Sequence, residues 1–415
     1  MPLSWKLLFA TALRGLNLLA KLLFTIVLAR VLVIEDFGHW VLVVAIVTYG
    51  TFALGAELYN ITLRTYISAG LAAALPRLSA QFCIFGIGYG ITFVAACFYS
   101  AFGNSLAHVF APIIALILIF EHISLEVHRL SFFSDHQVHA NAILLIKSAG
   151  WMVPIGFVLV FSPSEATLGL VLRGWLVGAI AATLYGLCIY RDLFRKLRPS
   201  YLPQFSGKAR LAFTALAPFL LTAVALRTPF LADRYLIKQY SGSEELAVYG
   251  YFATFGGGLQ AIFDVLILAR LTPRLLNLKQ NPLLQWQMTK AYLRDASIFW
   301  IFSVAVLWIV LPQINAFAEK ESFSDSLPLM LVILGGQLVF SLASILHYAL
   351  YAMNRDRQLA EGAILYLLIS LILFAALIPL FGNYGAAAAL MMAATGLFFM
   401  RFRQLLSVMN GNTTA

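Results

Sequence analysis

Residues 21–50, KLLFTIVLARVLVIEDFGHWVLVVAIVTYG, contain two apolar runs and the break between them. From Leu22 to Ala29 only Thr25 is polar. Arg30, the acidic pair Glu35-Asp36 and Gly38 then interrupt, and from Trp40 the chain is apolar again. Neither run alternates with period two, so strands are excluded. Each run continues outside the quoted stretch to the roughly 20 residues that a helix needs to cross a bilayer. The stretch reads as helix, short polar turn, helix.

The same alternation fills the rest of the chain. Of 415 residues, 61% are hydrophobic and 11% charged, with a mean hydropathy of +0.88. Soluble domains carry about 25% charged residues, so the class is an all-α polytopic membrane protein. Apolar windows predict twelve transmembrane helices, at 7–29, 38–60, 78–101, 106–127, 140–161, 166–190, 211–237, 246–269, 292–317, 327–351, 361–380 and 384–407. Residues 1–30 make a poor signal peptide, because Arg14 and Lys21 interrupt the apolar run and no small-residue cleavage site follows; they are expected to stay as the first span. Cys83, Cys97 and Cys188 all fall in apolar stretches, where buried thiols are expected and no disulfide or metal framework.

Orientation follows from the basic residues. With the N-terminus inside, 19 of the 28 Lys and Arg lie on the cytoplasmic side, four on the other, and five within spans. That asymmetry predicts both termini cytoplasmic (N-in/C-in). The net charge of +10 then reflects anchoring to anionic membrane lipids and not nucleic-acid binding. The basic segment 191–210, with Pro199, Pro203 and Gly207, is a cytoplasmic linker between an N-lobe, 1–190, and a C-lobe, 211–415, each of six spans.

The five intramembrane cations are Arg14, Lys21, Lys147, Arg173 and Arg227; Asp264 and Glu57 are the clear acids at similar depth. A cation at membrane depth costs several kcal/mol, so it normally faces protein or a water-filled cavity. A surplus of buried positive charge points to an anionic cargo. Thr11, Arg14, Lys21 and Thr25 recur at helical spacing with Asn17 beside them, forming one polar stripe on the first span. A diphosphate needs cations approachable from one side, and a guanidinium can hold its oxygens bidentately. The competing reading is that these side chains snorkel to a headgroup surface; for Lys147, Arg173 and Arg227, about two turns from predicted boundaries, pairing competes as well. Glu57, Asn60 and Arg64, spaced three and four apart, read as a gate or as an intrahelical network. Asp264, four residues after Gln260, is a counter-ion to Arg227 or Arg14, or a site of proton or sodium coupling. Gln337, Ser341, Ser344 and Tyr348, followed by Tyr351, form a neutral stripe suited to sugar contacts or to helix association. Pro154, Pro218 and Pro229 are expected to kink their helices.

A weak repeat joins the halves. Leu28-Ala29-Arg30 and Phe37-Gly38-His39-Trp40 in the first correspond to Leu231-Ala232-Asp233-Arg234 and Val248-Tyr249-Gly250-Tyr251 in the second. Six spans separate them, so the repeat is parallel, an arrangement that holds substrate near the midplane between two bundles. These motifs, about a fifth of the chain, resemble the openings of both lobes in the Wzx-type O-antigen and exopolysaccharide flippases of the multidrug/oligosaccharidyl-lipid/polysaccharide (MOP) exporter superfamily. The resemblance implies two six-helix lobes around a central cationic cavity, with alternating access between them. It implies that the cavity receives the diphosphate of an undecaprenyl-diphosphate-type lipid-linked glycan in a bacterial inner membrane. Two extra C-terminal helices of the lipid II flippase group have no counterpart in the twelve windows, an expectation against that branch. A functional monomer with no cofactor is expected, and other polysaccharide assembly proteins are candidate partners.

Two rivals stand beside this reading. A multidrug or cation exporter of the same superfamily would want carboxylates where this chain has bases. A membrane glycan polymerase or ligase would need a sizeable outer loop with acid/base residues; the outer loops here are short, and no enzyme is expected. Gly86, Gly88 and Gly90 follow no strand and read as close helix packing, not a nucleotide loop. The spacings of His122, His128, His136 and His139 match no structural zinc motif, so no metal site is expected.

Overall fold

The computed structural model describes residues 5–56, 58–102, 106–131, 137–197, 220–278 and 281–411, and the regular structure among them is entirely helical. In the first half these are α1 (Trp5–Val31), α2 (Ile34–Gly55), α3 (Leu58–Phe102), α4 (Leu106–Leu130), α5 (Gln137–Lys147), α6 (Ala149–Phe161), α7 (Leu168–Ile189) and the single turn α8 (Arg191–Phe194). Helical residues 220–227 lead into α9 (Pro229–Phe263). A π-helical turn, Asp264–Leu268, joins α9 to α10 (Ala269–Asn277). Then come α11 (Pro282–Ala318), the short α12 (Glu321–Asp325), α13 (Leu327–Ala352) and α14 (Asp356–Gly411).

Nine helical stretches among the described residues are long and apolar enough to cross a membrane. Three long helices contain a break. The 56 residues of α14 would span about 84 Å, nearly three times a hydrocarbon core of about 30 Å. Each of these helices is interrupted by one glycine: Gly70 in α3, Gly242 in α9 and Gly382 in α14, with φ of +78°, +90° and +56°. That region is cheap only without a Cβ. Gly70 sets off a first piece of α3 too short to cross; divided at Gly242 and Gly382, with α5 and α6 counted together, the helices make about twelve crossings. The polar breaks expected between them shrink in places to a single glycine.

One detail differs from the sequence reading. The fifth span is two helices, broken at Ser148 (φ −115°, ψ −84°). Pro229 stands where helical residues 220–227 pass into α9: Thr228 before it keeps αR torsions, but the helix is interrupted there. Pro154 does lie inside α6, and Pro218 falls outside the described residues.

The chain divides into two compact units, Met1–Leu32 with Val43–Ala217, and Val33–Leu42 with Pro218–Ala415. In the first, Leu78, Val127, Leu130, Ile143, Ala182 and Tyr190 form a core cluster. A side chain at Gly178 would collide with Trp151, so this small residue lets α7 and α6 approach. In the second, Ala343, Tyr366, Ala393, Ala394 and Leu397 pack together. The head of α2 belongs here because Gly38 lies directly on the Ser243 carbonyl and Val41 on Gly250. Both glycines of the repeated motifs are therefore close-approach positions.

Candidate functional site

In the first unit the charges converge on α4. Glu121, buried, takes the Lys147 ammonium at 2.6 Å. Lys147 Nζ also donates to the Glu121 carbonyl (3.1 Å), and the Trp175 indole N–H donates to Glu121 Oε1 (2.7 Å). Lys147 is the last residue of α5, immediately before the break at Ser148. A broken membrane helix leaves backbone groups without partners; here the Trp151 indole donates to the Lys147 carbonyl at 3.0 Å. Trp151 stacks on Trp175 with centroids 6.1 Å apart and meets the edge of Phe24 on α1. The aromatic wall thus ties α1, α6 and α7 around one ion pair.

Lys21 completes this cluster. It lies within electrostatic reach of both Lys147 and Glu121, and it is exposed at the protein surface although protein atoms crowd around it. One turn earlier, the amide oxygen of Asn17 is buried with no hydrogen-bond partner among the described residues. Two cations therefore share one acid, and the accessible cation is Lys21.

A second network lies one turn further along α4. Thr62 donates to Gln81 (2.7 Å), Gln81 donates to Glu126 (2.7 Å), and Arg129 pairs with the same carboxylate at 2.5 Å. His122 is fully buried, with Nε2 3.7 Å from Glu126 and Nδ1 2.6 Å from the Tyr89 hydroxyl. Arg129 also lies 4.5 Å above the Tyr59 ring, and Arg77 bonds Thr65.

The second unit holds a cavity of about 250 Å³ lined by Phe230, Arg234, Tyr249, Gln337, Phe340 and Tyr366, among others. Arg234 grips the buried Asp233 carboxylate, 3.0 Å to each oxygen, and the Tyr249 hydroxyl donates to it at 2.7 Å. Asp264, on the π-helical turn, accepts from Gln260 (2.9 Å), and Ser341 donates to Gln260 from the other side (2.7 Å). Asp264 makes no ion pair among the described residues; Gln260 is its partner. Fully buried Arg401 donates to the Ala343 carbonyl at 3.1 Å.

Of the residues singled out by sequence, Lys21 and Lys147 are brought together, and so are Asp264 and Ser341 through Gln260. Gln337 lines the cavity, Ser344 bonds back to Phe340 within its helix, and Tyr348 packs on His347. Arg173 and Arg227 are exposed on their helices. The side chains of Arg14 and Arg64, and all of Glu57, lie outside the described residues. Sequence reasoning missed Glu121 and Glu126, the acids that answer the buried bases. For Glu126 the available signal was its spacing of four from His122 and three from Arg129, at the end of the fourth apolar window. Arg401, one of the 19 bases assigned to the cytoplasmic side, is buried in the second unit, which the sequence did not signal.

Among the described residues the architecture is helical, with about twelve crossings and the Glu121–Lys147 pair seated where a helix is interrupted. Solved structures agree on the fold. The chain is similar to lipid II flippase MurJ in an inward closed conformation, with TM-score 0.77 at 13% identity over 95% of this chain and 87% of that one. It is similar to an inward-facing multidrug-resistance MATE transporter of the MOP superfamily, with TM-score 0.71 at 13% identity over 95% and 96%. A Vibrio cholerae MATE transporter matches with TM-score 0.62 at 12% identity over 98% and 97%. No protein-family model matches the chain, and no curated protein does either. The fold is that of the MOP-superfamily transporters.

Proposed function

We propose that this chain is a flippase moving a polyprenyl-diphosphate-linked oligosaccharide across a bacterial inner membrane by alternating access. The observation that carries the reading is Lys21: deep in the first span, accessible, and beside a lysine whose charge Glu121 already neutralises. A diphosphate is the anion class such a cation suits, with Arg14 seven residues earlier on the same helix as second contact. Arg173, Arg227 and Arg64 are further proposed contacts. Gln337, Ser341, Ser344 and Tyr348 would meet the sugars, and Glu57 and Asp264 would serve as counter-ions or couple an ion. The protein would work as a monomer among membrane lipids, handing its product to other polysaccharide assembly proteins.

The test is reconstitution in liposomes, reading exposure of an inner-leaflet polyprenyl-diphosphate saccharide at the outer surface. Lys21→Ala and Arg14→Ala each lose a charge-assisted contact and should slow translocation about tenfold or more, while Lys21→Arg keeps most of the rate. Wild-type rates in both alanine variants would sink the proposal. A cation exporter draws support from one observation, the accessible carboxylate of Asp264 with only an amide partner. That rival requires dye efflux to survive Lys21→Ala and to fail in Asp264→Asn.

A further inference from the structure

At the end of the second unit that the Lys and Arg distribution places in the cytoplasm, α10 and the start of α11 enclose a crevice of about 650 Å³. Leu266, Ile267, Leu278, Leu284 and Met288 form its apolar walls, and Arg270 and Arg274 reach it from one face of α10. The two arginines are four residues apart, one helical turn, so their guanidinium groups address the same volume. Arg274 donates to the Tyr292 hydroxyl at 2.9 Å. Arg270 is exposed and has no hydrogen-bond or ion-pair partner among the described residues. The acid in the lining, Asp295, pairs with Arg294 at 3.0 Å and, among the described residues, makes no ion pair with either α10 arginine.

The flanking geometry sets the depth. The 37 residues of α11 run about 55 Å, well beyond the hydrocarbon thickness of about 30 Å. Its first turns, which carry Gln287 and Lys290, therefore stand among headgroups. A slot with greasy walls and a paired-arginine rim at headgroup depth matches an amphiphile with one phosphate. Neither a soluble anion nor a peptide would use both parts.

We infer that this crevice seats an anionic glycerophospholipid of the cytoplasmic leaflet, its phosphate between Arg270 and Arg274 and its acyl chains along Leu266, Leu284 and Met288. The crevice shares no lining residue with the cargo residues above and does not depend on which cargo is carried.

Native mass spectrometry of the full chain in a neutral detergent tests this, with phosphatidylglycerol, phosphatidylcholine, inorganic phosphate and polyprenyl phosphate as separate arms. The wild type should retain one phosphatidylglycerol, and Arg270→Gln with Arg274→Gln should weaken retention about tenfold. Arg357→Gln, which removes an exposed cation paired with Glu361, should change nothing. Equal retention by the double variant, or equal binding of phosphatidylcholine, overturns the assignment. Displacement of the lipid by inorganic phosphate would make it a soluble-anion site instead. Displacement by polyprenyl phosphate at lower concentration would make it an entry point for the transported lipid.

Discussion

The two units handle membrane-buried charge differently. In the first, ions join separate helices: Glu121 on α4 reaches Lys147 on α5, and Glu126 on α4 reaches Gln81 on α3. In the second, the tight ion pair is between chain neighbours, Asp233 and Arg234, and apart from Arg401 on the Ala343 carbonyl the helices are joined by neutral groups. Examples are Ser341 to Gln260 and Tyr251 to Asn315. A buried pair between helices is sensitive to losing one partner, because the other cannot follow its own backbone to water. A neutral bond costs far less to lose. The first unit therefore ties its stability to charge, and it keeps Lys21 beside that pair as an accessible cation.

The largest effect should come from Glu121→Ala. It leaves Lys147, whose side chain is only 14% exposed, without its counter-ion and the Trp175 N–H without an acceptor, at a cost of about 3 kcal/mol. Denaturation of the purified protein in detergent measures it, and adding Lys147→Met should restore most of the loss, since two matched apolar groups need no pairing. If the double variant is no better than the single, the ion pair is not what holds α4 to α5 and the contrast between units fails.

Tyr249→Phe sharpens the other side. It removes a hydroxyl bonded to buried Asp233, a contact to a charged group worth about 1.5–3 kcal/mol, but leaves Arg234 gripping both carboxylate oxygens. The loss should fall at the lower end of that range, with translocation in liposomes unchanged. A penalty as large as that of Glu121→Ala would mean that the second unit depends on its charges equally.

Gly382→Ala probes the backbone. At φ +56°, ψ −130°, a conformation nearly confined to glycine, an alanine costs about 1–3 kcal/mol, and a hydrogen-exchange measurement should locate the loosening at the junction within α14. Were the variant as stable as wild type, the break would not rest on glycine.

Most of the fold was legible because hydrophobic length and the sidedness of Lys and Arg are summed over many residues, so a few misplaced ends do not change the count. The break at Ser148 was not legible: Lys147 and Ser148 stand together in residues 140–161, but the lysine reads as a deep cation and the kink is expected at Pro154; the break is sustained by Trp151 donating to the Lys147 carbonyl. Lys21 and Lys147 were legible as deep cations, since a charge at depth is conspicuous against greasy neighbours. Their acid was not. Glu121 stands beside His122 near the cytoplasmic end of its window and reads as a boundary residue until tertiary packing turns it inward. Arg401 escaped for the same reason. A residue near a predicted edge has two plausible destinations, and only the neighbouring helices decide between them.

The smallest predicted effect is that of Ser341→Ala. Ser341 is fully buried, but its acceptor Gln260 is only partly so. When the hydroxyl goes, the amide oxygen can turn to water while Gln260 Nε2 keeps its bond to Asp264. The cost should therefore stay near the lower bound for a neutral hydrogen bond, about 0.5 kcal/mol, below that of Tyr249→Phe in the same unit. Translocation should fall more than stability does if this serine meets sugar, so the two readouts on one variant separate helix glue from cargo contact. A stability loss with an unchanged rate assigns Ser341 to the scaffold and leaves Gln337, which lines the cavity, to carry the sugar-contact proposal in this helix.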